Sequence, residues 1–279
     1  MPEILEVEDA RALIAAEGLG REIASTFTPD TWYLKRGLTP RTARSALVGR
    51  RFAAARRRGK LILVDTEGAD GPGPVLGLHL GMSGRVVIDG VEAGDPLIYA
   101  SNRDVPEWRR FGVRFVDGGA LYVRDPRRLG AVELEPDEDR LGPDAFELTL
   151  RHLRSVTSRS NAPIKAVLMN QARIAGLGNL LVDEALWQAG IDPARRSDSL
   201  SAEDQARLHR NGAAGRTPAT CRGWPPCPVL ATVRCSSAAR WPAAPRSRAR
   251  STRRNLRTTS HEELRWARSL SSMPTTSSG

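Results

Sequence analysis

Gln171-Ala172-Arg173-Ile174-Ala175-Gly176-Leu177-Gly178-Asn179 is the stretch that decides how this chain is organised. A helical pattern opens upstream at Pro163-Ile164-Lys165, and another runs downstream from Leu180 to Ala189. Two glycines let the backbone turn sharply and approach a ligand, and Asn179 stands where a helix cap belongs. Unpaired N–H groups at such a helix start, with the positive dipole end and Lys165 nearby, read either as an anion seat or as a plain helix connection. Helical patterns over 144–155, 161–170, 179–189 and 201–210 surround this bend, giving a helical domain over 135–210.

The residues before it follow another rule. Positions 3–17 read as a helix, with Ile4, Val7, Leu13 and Ile14 near one stripe and Gly18 as a stop. Strand-like runs follow at Lys60–Val64, Val75–Leu80, Arg85–Ile88, Gly112–Val116 and Ala120–Arg124, the last two joined by the hairpin signal Asp117-Gly118-Gly119. Short strands with turn punctuation argue for a sandwich or barrel. The acidic, strand-breaking run Glu135-Pro136-Asp137-Glu138-Asp139 closes this part. The fold class is therefore α+β: an N-terminal two-sheet β-sandwich with a leading helix over 1–134, then the helical domain.

The composition of 279 residues fits two domains of a globular protein, with 40% hydrophobic and 27% charged residues. No apolar run reaches the roughly 18 residues of a membrane span, and no secretory leader is legible. A cytoplasmic protein is expected. The net charge of +10 belongs wholly to residues 211–279, which hold 12 arginines, no lysine and only Glu262 and Glu263 as acids. That tail is rich in Arg, Ala, Ser and Pro without a sustained period, so disorder is its default reading. It reads either as a basic nucleic-acid-binding arm or as a GC-rich gene translated out of frame from about residue 211. Its cysteines, Cys221, Cys227 and Cys235, lack a Cys-x2-Cys pair and make a poor zinc site.

Chemistry is written first at Met1-Pro2-Glu3. Removal of the initiator methionine leaves Pro2 with a free secondary amine, partly unprotonated near neutral pH and able to attack an aldehyde-like carbon to give an iminium. A helix-start role for this proline is the plainer alternative. His79 and Leu80-Gly81-Met82-Ser83-Gly84 form a turn after a strand, and Asp125-Pro126-Arg127-Arg128-Leu129-Gly130 a turn with two guanidiniums, read as salt-bridging or phosphate-contacting. Lys60 is one of only three lysines, and an ammonium, unlike a guanidinium, can lose its proton when desolvated.

These stretches, in this order over about residues 1–210, resemble the formamidopyrimidine-DNA glycosylase / endonuclease VIII family, and the formamidopyrimidine branch more closely. The resemblance rests on Pro2-Glu3-Ile4-Leu5-Glu6-Val7-Glu8, Lys60, the Met82 and Arg127 loops, and Gln171–Asn179 as a helix–two-turns–helix element. It implies a base-excision enzyme that removes oxidised, chiefly purine, bases and cleaves the resulting abasic strand. Pro2 would be the nucleophile, Glu3 the proton shuttle, Glu6 an orienting group and Lys60 an acid–base group. Met82, Arg127 and Leu129 would fill the gap left by the extruded base, with leucine where the family has an aromatic ring. His79, Arg109, Arg110 and Arg128 would contact DNA, and Lys165, Asn179 and the Gly176 and Gly178 amides would grip phosphate. Arg56–Arg58 are further candidates for the groove.

The family's four-cysteine zinc finger is not recognisable, so no metal or other cofactor is expected. The implied partner is damaged double-stranded DNA, bound by a monomer associated with the nucleoid. The competing reading is a non-catalytic or abasic-site-only DNA-binding paralogue; a third, an RNA- or ribosome-associated helical module, gives no reason for Pro2-Glu3 or Lys60.

Overall fold

The computed structural model describes residues 2–94, 101 and 103–210; the readings made for 211–279 lie outside them. The leading helix α1 spans Ile4–Glu17. It is followed by β1 (Ile23–Phe27), α2 (Pro40–Leu47), β2 (Arg51–Arg58), β3 (Leu61–Gly68), β4 (Gly71–Pro72), β5 (Leu76–His79), β6 (Arg85–Ile88), β7 (Val91–Glu92), β8 (Arg109–Phe115), β9 (Ala120–Arg124) and β10 (Ala131–Leu134). The strands form two antiparallel sheets, ordered β1-β8-β9-β6-β7 and β10-β5-β3-β2, with β4 added to β3. The expected α+β architecture with two β-sheets and a helical lobe is what the chain adopts.

Alternation places Ile62, Val64, Leu76 and Leu78 of one sheet and Val86, Ile88, Phe111, Val113, Leu121 and Val123 of the other in one buried core. Sequence patterning missed β1, α2, β2 and β10. β2 is the instructive case, because its Ala-Ala-Ala-Arg-Arg-Arg run has weak strand propensity and pairs with β3 from Arg51 to Arg58 all the same. The 60–64 strand begins one residue later than expected: Gly59 and Lys60 form the two-residue hairpin tip between β2 and β3.

Beyond the sandwich lie α3 (Leu150–Ser158), α4 (Ile164–Met169), α5 (Asn179–Ala189) and α6 (Ala202–Leu208). The helix expected over 144–155 starts later, because Asp144 and Thr149 each cap a new turn and divide the segment. α1 belongs to both lobes: Val7, Ala10 and Ile14 enter the sandwich core, whereas Ile4 and Leu5 pack with Leu168, Leu177 and Leu186 of the helical core. The N-terminus is thereby fixed where the two cores meet. No described helix is long and apolar enough to cross a membrane.

Candidate active site and nucleic-acid interface

The first turn of an α-helix has backbone N–H groups with no partner inside the helix, and α5 has no local side-chain cap. Its donors are met from the other lobe. The Glu3 carboxylate accepts N–H groups from Gly178 (2.9 Å), Leu180 (2.9 Å) and Leu181 (3.2 Å). A Cβ on Gly178 would overlap this carboxyl, and one on Gly176, held at φ +112°, would strike Ile4. The two glycines thus admit the chain's own N-terminal segment.

This arrangement bears on three expectations. Asn179 is the first residue of α5 rather than its cap; it is exposed and donates its side-chain amide to Asp183 at 3.2 Å. The Gly178 N–H is taken by Glu3 and the Gly176 N–H by the Gln171 side chain at 2.9 Å, so neither points to an external phosphate. Lys165 pairs with Asp183 at 2.7 Å. The anion seat read from the sequence exists, and Glu3 fills it.

Pro2 is buried, and Glu6 accepts the Glu3 N–H at 2.9 Å, fixing the backbone next to it. Pro2 and Glu6 line a small cleft with Leu80, Gly84, Arg85 and Gly94. Burial raises the pKa of Glu3, against the Leu180 amide and the Lys60 charge. Burial likewise lowers that of Lys60, against Glu3 and Glu6. A carboxylate next to Pro2 in the chain and an ammonium, with pKa values pulled toward each other, form a group able to pass protons.

The hairpin tip carrying Lys60 is clamped by the helical lobe. Asp144 accepts the Gly59 N–H at 2.7 Å and pairs with Arg57 at 2.6 Å; Arg57 also reaches Glu8 at 3.0 Å and stacks over Phe146. Arg56 pairs with Asp65 and Glu138, and Arg58 donates to the Leu141 carbonyl. These three arginines, expected along a DNA groove, join parts of the protein to one another instead. Spacing offered no sign of this, since their partners lie up to 87 residues away.

The two loops expected to enter DNA stand side by side. Asp125, fully buried, accepts from the Ser83 hydroxyl (2.5 Å), the Gly130 N–H (2.8 Å) and the Arg127 N–H (3.1 Å). From this base Met82 and Leu129 are 38% and 51% exposed, a solvent-facing apolar pair that folding alone does not require. Arg127 is exposed, with no ion-pair partner among the described residues. His79 accepts the Gly81 N–H on Nδ1 at 3.1 Å. Although His79 reaches solvent, the protein packed around its ring and the Lys60 charge lower its pKa.

The other expected phosphate ligands are paired. Arg109 meets Asp104 at 2.7 Å and lies over the Tyr122 ring; Arg128 meets Asp30 at 2.7 Å. Arg110 donates to the Asp125 carbonyl at 2.8 Å and braces the loop. Sequence reasoning overlooked Asp30, Tyr33, Asp144 and Arg85, which carry no motif. Among the described residues, no group of three or more His, Cys, Asp or Glu is placed to hold a metal.

Comparison with known proteins places this geometry. Residues 1–132 match the model of the formamidopyrimidine-DNA glycosylase N-terminal domain, and residues 141–214 match that of its H2TH domain. A formamidopyrimidine-DNA glycosylase of Paracoccus denitrificans is 38% identical over 225 residues, covering 75% of this chain and 74% of that protein. One from Arabidopsis thaliana is 32% identical over 221 residues, covering 75% and 55% respectively. Among solved structures, Lactococcus lactis Fpg bound to DNA containing N7-benzyl-Fapy-dG superposes with a TM-score of 0.62 at 25% identity, covering 75% of both chains. A two-sheet lobe and a helix–two-turns–helix lobe joined through the N-terminal helix define a DNA-repair enzyme of the glycosylase class. The chain belongs to the formamidopyrimidine-DNA glycosylase family.

Proposed function

We propose that this protein excises oxidised purine bases from duplex DNA and then cleaves the abasic strand, with Pro2 as the nucleophile. With Met1 removed, the Pro2 nitrogen gives up its proton and bonds to C1′ as the glycosidic electron pair leaves with the base, which takes up a proton. The nitrogen lone pair then opens the sugar ring by breaking the C1′–O4′ bond, and O4′ takes up a proton. The resulting iminium acidifies C2′, and loss of that proton expels the 3′ phosphate by β-elimination. Water then hydrolyses the iminium. The observation that carries this reading is that Glu6 shares a cleft with Pro2 and, together with Glu3, interacts with the half-buried Lys60 charge.

An ionised carboxylate has about four acceptor sites. Three of the Glu3 sites take α5 and Gly178 amides, so the carboxyl is held in place next to the sugar that Pro2 attacks. Lys60 serves as the acid–base partner and Glu6 orients the terminus. The base leaves the stack to reach Pro2, and Met82, Arg127 and Leu129 fill its place. The three cysteines present do not fit a four-thiolate zinc finger. The protein would act as a monomer on chromosomal DNA in the cytoplasm.

Borohydride trapping on an abasic-site duplex is the test. A covalent adduct lost in Pro2→Gly supports the enzyme. Duplex binding without an adduct overturns it in favour of the binding paralogue, which Leu129 in the aromatic position favours. Faster excision of an oxidised pyrimidine than of a formamidopyrimidine would overturn the purine preference.

A further inference from the structure

Asp30 lies between β1 and the turn that contains Trp32 and Tyr33, outside every motif of the family resemblance. Its side chain is only 8% exposed, yet it meets two arginines. Arg128 grips it with two hydrogen bonds, Nε at 2.7 Å and Nη2 at 2.8 Å, and Arg110 approaches at 3.5 Å. Arg128 stands between Arg127 and Leu129 in a left-handed backbone conformation, φ +57°, that non-glycine residues seldom adopt. Such a conformation persists only where the surroundings hold it. Three residues further on, the Tyr33 hydroxyl donates to buried Asp125 at 3.3 Å. The same short turn therefore braces the 125–130 loop at Asp125 and again at Arg128.

We infer that Asp30 is a positioning residue for lesion discrimination: by gripping Arg128 it holds the loop in the shape that presents Arg127 and Leu129 beside Met82. It also withholds the Arg128 guanidinium from indiscriminate phosphate contact. Arg128 holds the Asp30 carboxyl below the usual range, so the grip is ionic at neutral pH. On this account undamaged DNA finds fewer free cations, and a duplex with an open gap meets a preformed wedge. The inference rests on the proposed lesion-binding role of the two loops.

The test is fluorescence anisotropy with the full chain at one fixed salt concentration, comparing a tetrahydrofuran abasic-analogue duplex with an undamaged duplex. Asp30→Asn keeps an oxygen to cap the Trp32 N–H and loses the carboxylate grip. Its preference for the abasic analogue should fall at least fivefold, with affinity for undamaged DNA unchanged or tighter. Adding Asp30→Asn to Arg128→Gly should cost nothing more, because glycine accepts the left-handed backbone and the grip is already gone. Equal loss on both duplexes, an unchanged preference, or additive effects of the two substitutions would overturn the inference. A wild-type protein that prefers the abasic analogue but gives no borohydride adduct would count against the catalytic reading alone.

Discussion

The Glu3 carboxylate and the Gly178 amide, 175 residues apart in the chain, meet at 2.9 Å where the two lobes join. One side chain thus serves as the cap of α5, the tie between cores and the neighbour of the proposed nucleophile. A mechanical role and the proposed chemical role share the same oxygens.

Glu3→Ala leaves three amides without their acceptor, at a cost of about 2–3 kcal/mol. Calorimetry should show a lower unfolding midpoint, and borohydride should trap no adduct. Gly178→Ala is expected to reproduce both losses, because its Cβ would occupy the space of the Glu3 carboxyl. A Glu3→Ala protein with wild-type thermal stability would contradict the capping account.

Lys60 is set against stability. Burial depresses its pKa despite Glu3 and Glu6, so folding disfavours the charged form. The stabilising contribution of such a lysine is complete only above its unfolded value near 10.4 and is lost as pH falls through the depressed folded value. At pH 7 Lys60→Met should therefore melt no lower than wild type, and its advantage should shrink as pH rises toward 10. Adduct formation should fall by about 10²-fold, the scale of a lost acid–base group. Melting curves between pH 6 and 10, with trapping at pH 7, check both signs.

Leu129 is half exposed, so Leu129→Phe should leave the unfolding midpoint within a degree or two. A phenyl ring adds stacking worth about 1 kcal/mol against an unpaired base. Affinity for the abasic-analogue duplex should rise about fivefold while that for undamaged duplex stays put. An equal rise on both would show that residue 129 does not enter the gap.

At the far end of the sandwich, Arg21 donates to both oxygens of Asp117 at 2.6 and 2.7 Å and pairs with Asp89, pinning the β8–β9 hairpin. The Arg21 hydrogen bonds lower the Asp117 pKa to about 2. This depressed carboxyl contributes stability above its unfolded value near 3.9 and loses it as pH falls through about 2. NMR titration should place the Asp117 midpoint near 2 in wild type and near 4 in Arg21→Ala.

The strands at 76–79, 85–88 and 120–124 were legible because burial on one face writes period-two alternation into the chain. β2 was not, because its central residues are alanine and arginine and its place depends on β3 and on carboxylates of the helical lobe. The bend at Gly176–Asn179 was legible as an anion seat or a plain helix connection, since glycines before a helix start allow both locally. Which anion it receives was not. Whether Arg128 and Lys165 meet a carboxylate or a phosphate was not legible for the same reason: Asp30 and Asp183 are distant in sequence and carry no motif.

By itself the sequence determined the two-lobe organisation, the helix at the N-terminus, the bend between α4 and α5 and the family resemblance. Those features rest on local periodicity, turn chemistry and short motifs, whose physics acts over a few residues. Only the tertiary structure decided that Glu3 fills the α5 anion seat, that Arg56–Arg58 bind protein groups, and that Asp30 holds Arg128. Ion pairs and helix caps depend on distance in space, and a chain of 20 kinds of residue offers too many arginines and carboxylates for spacing alone to say which will meet.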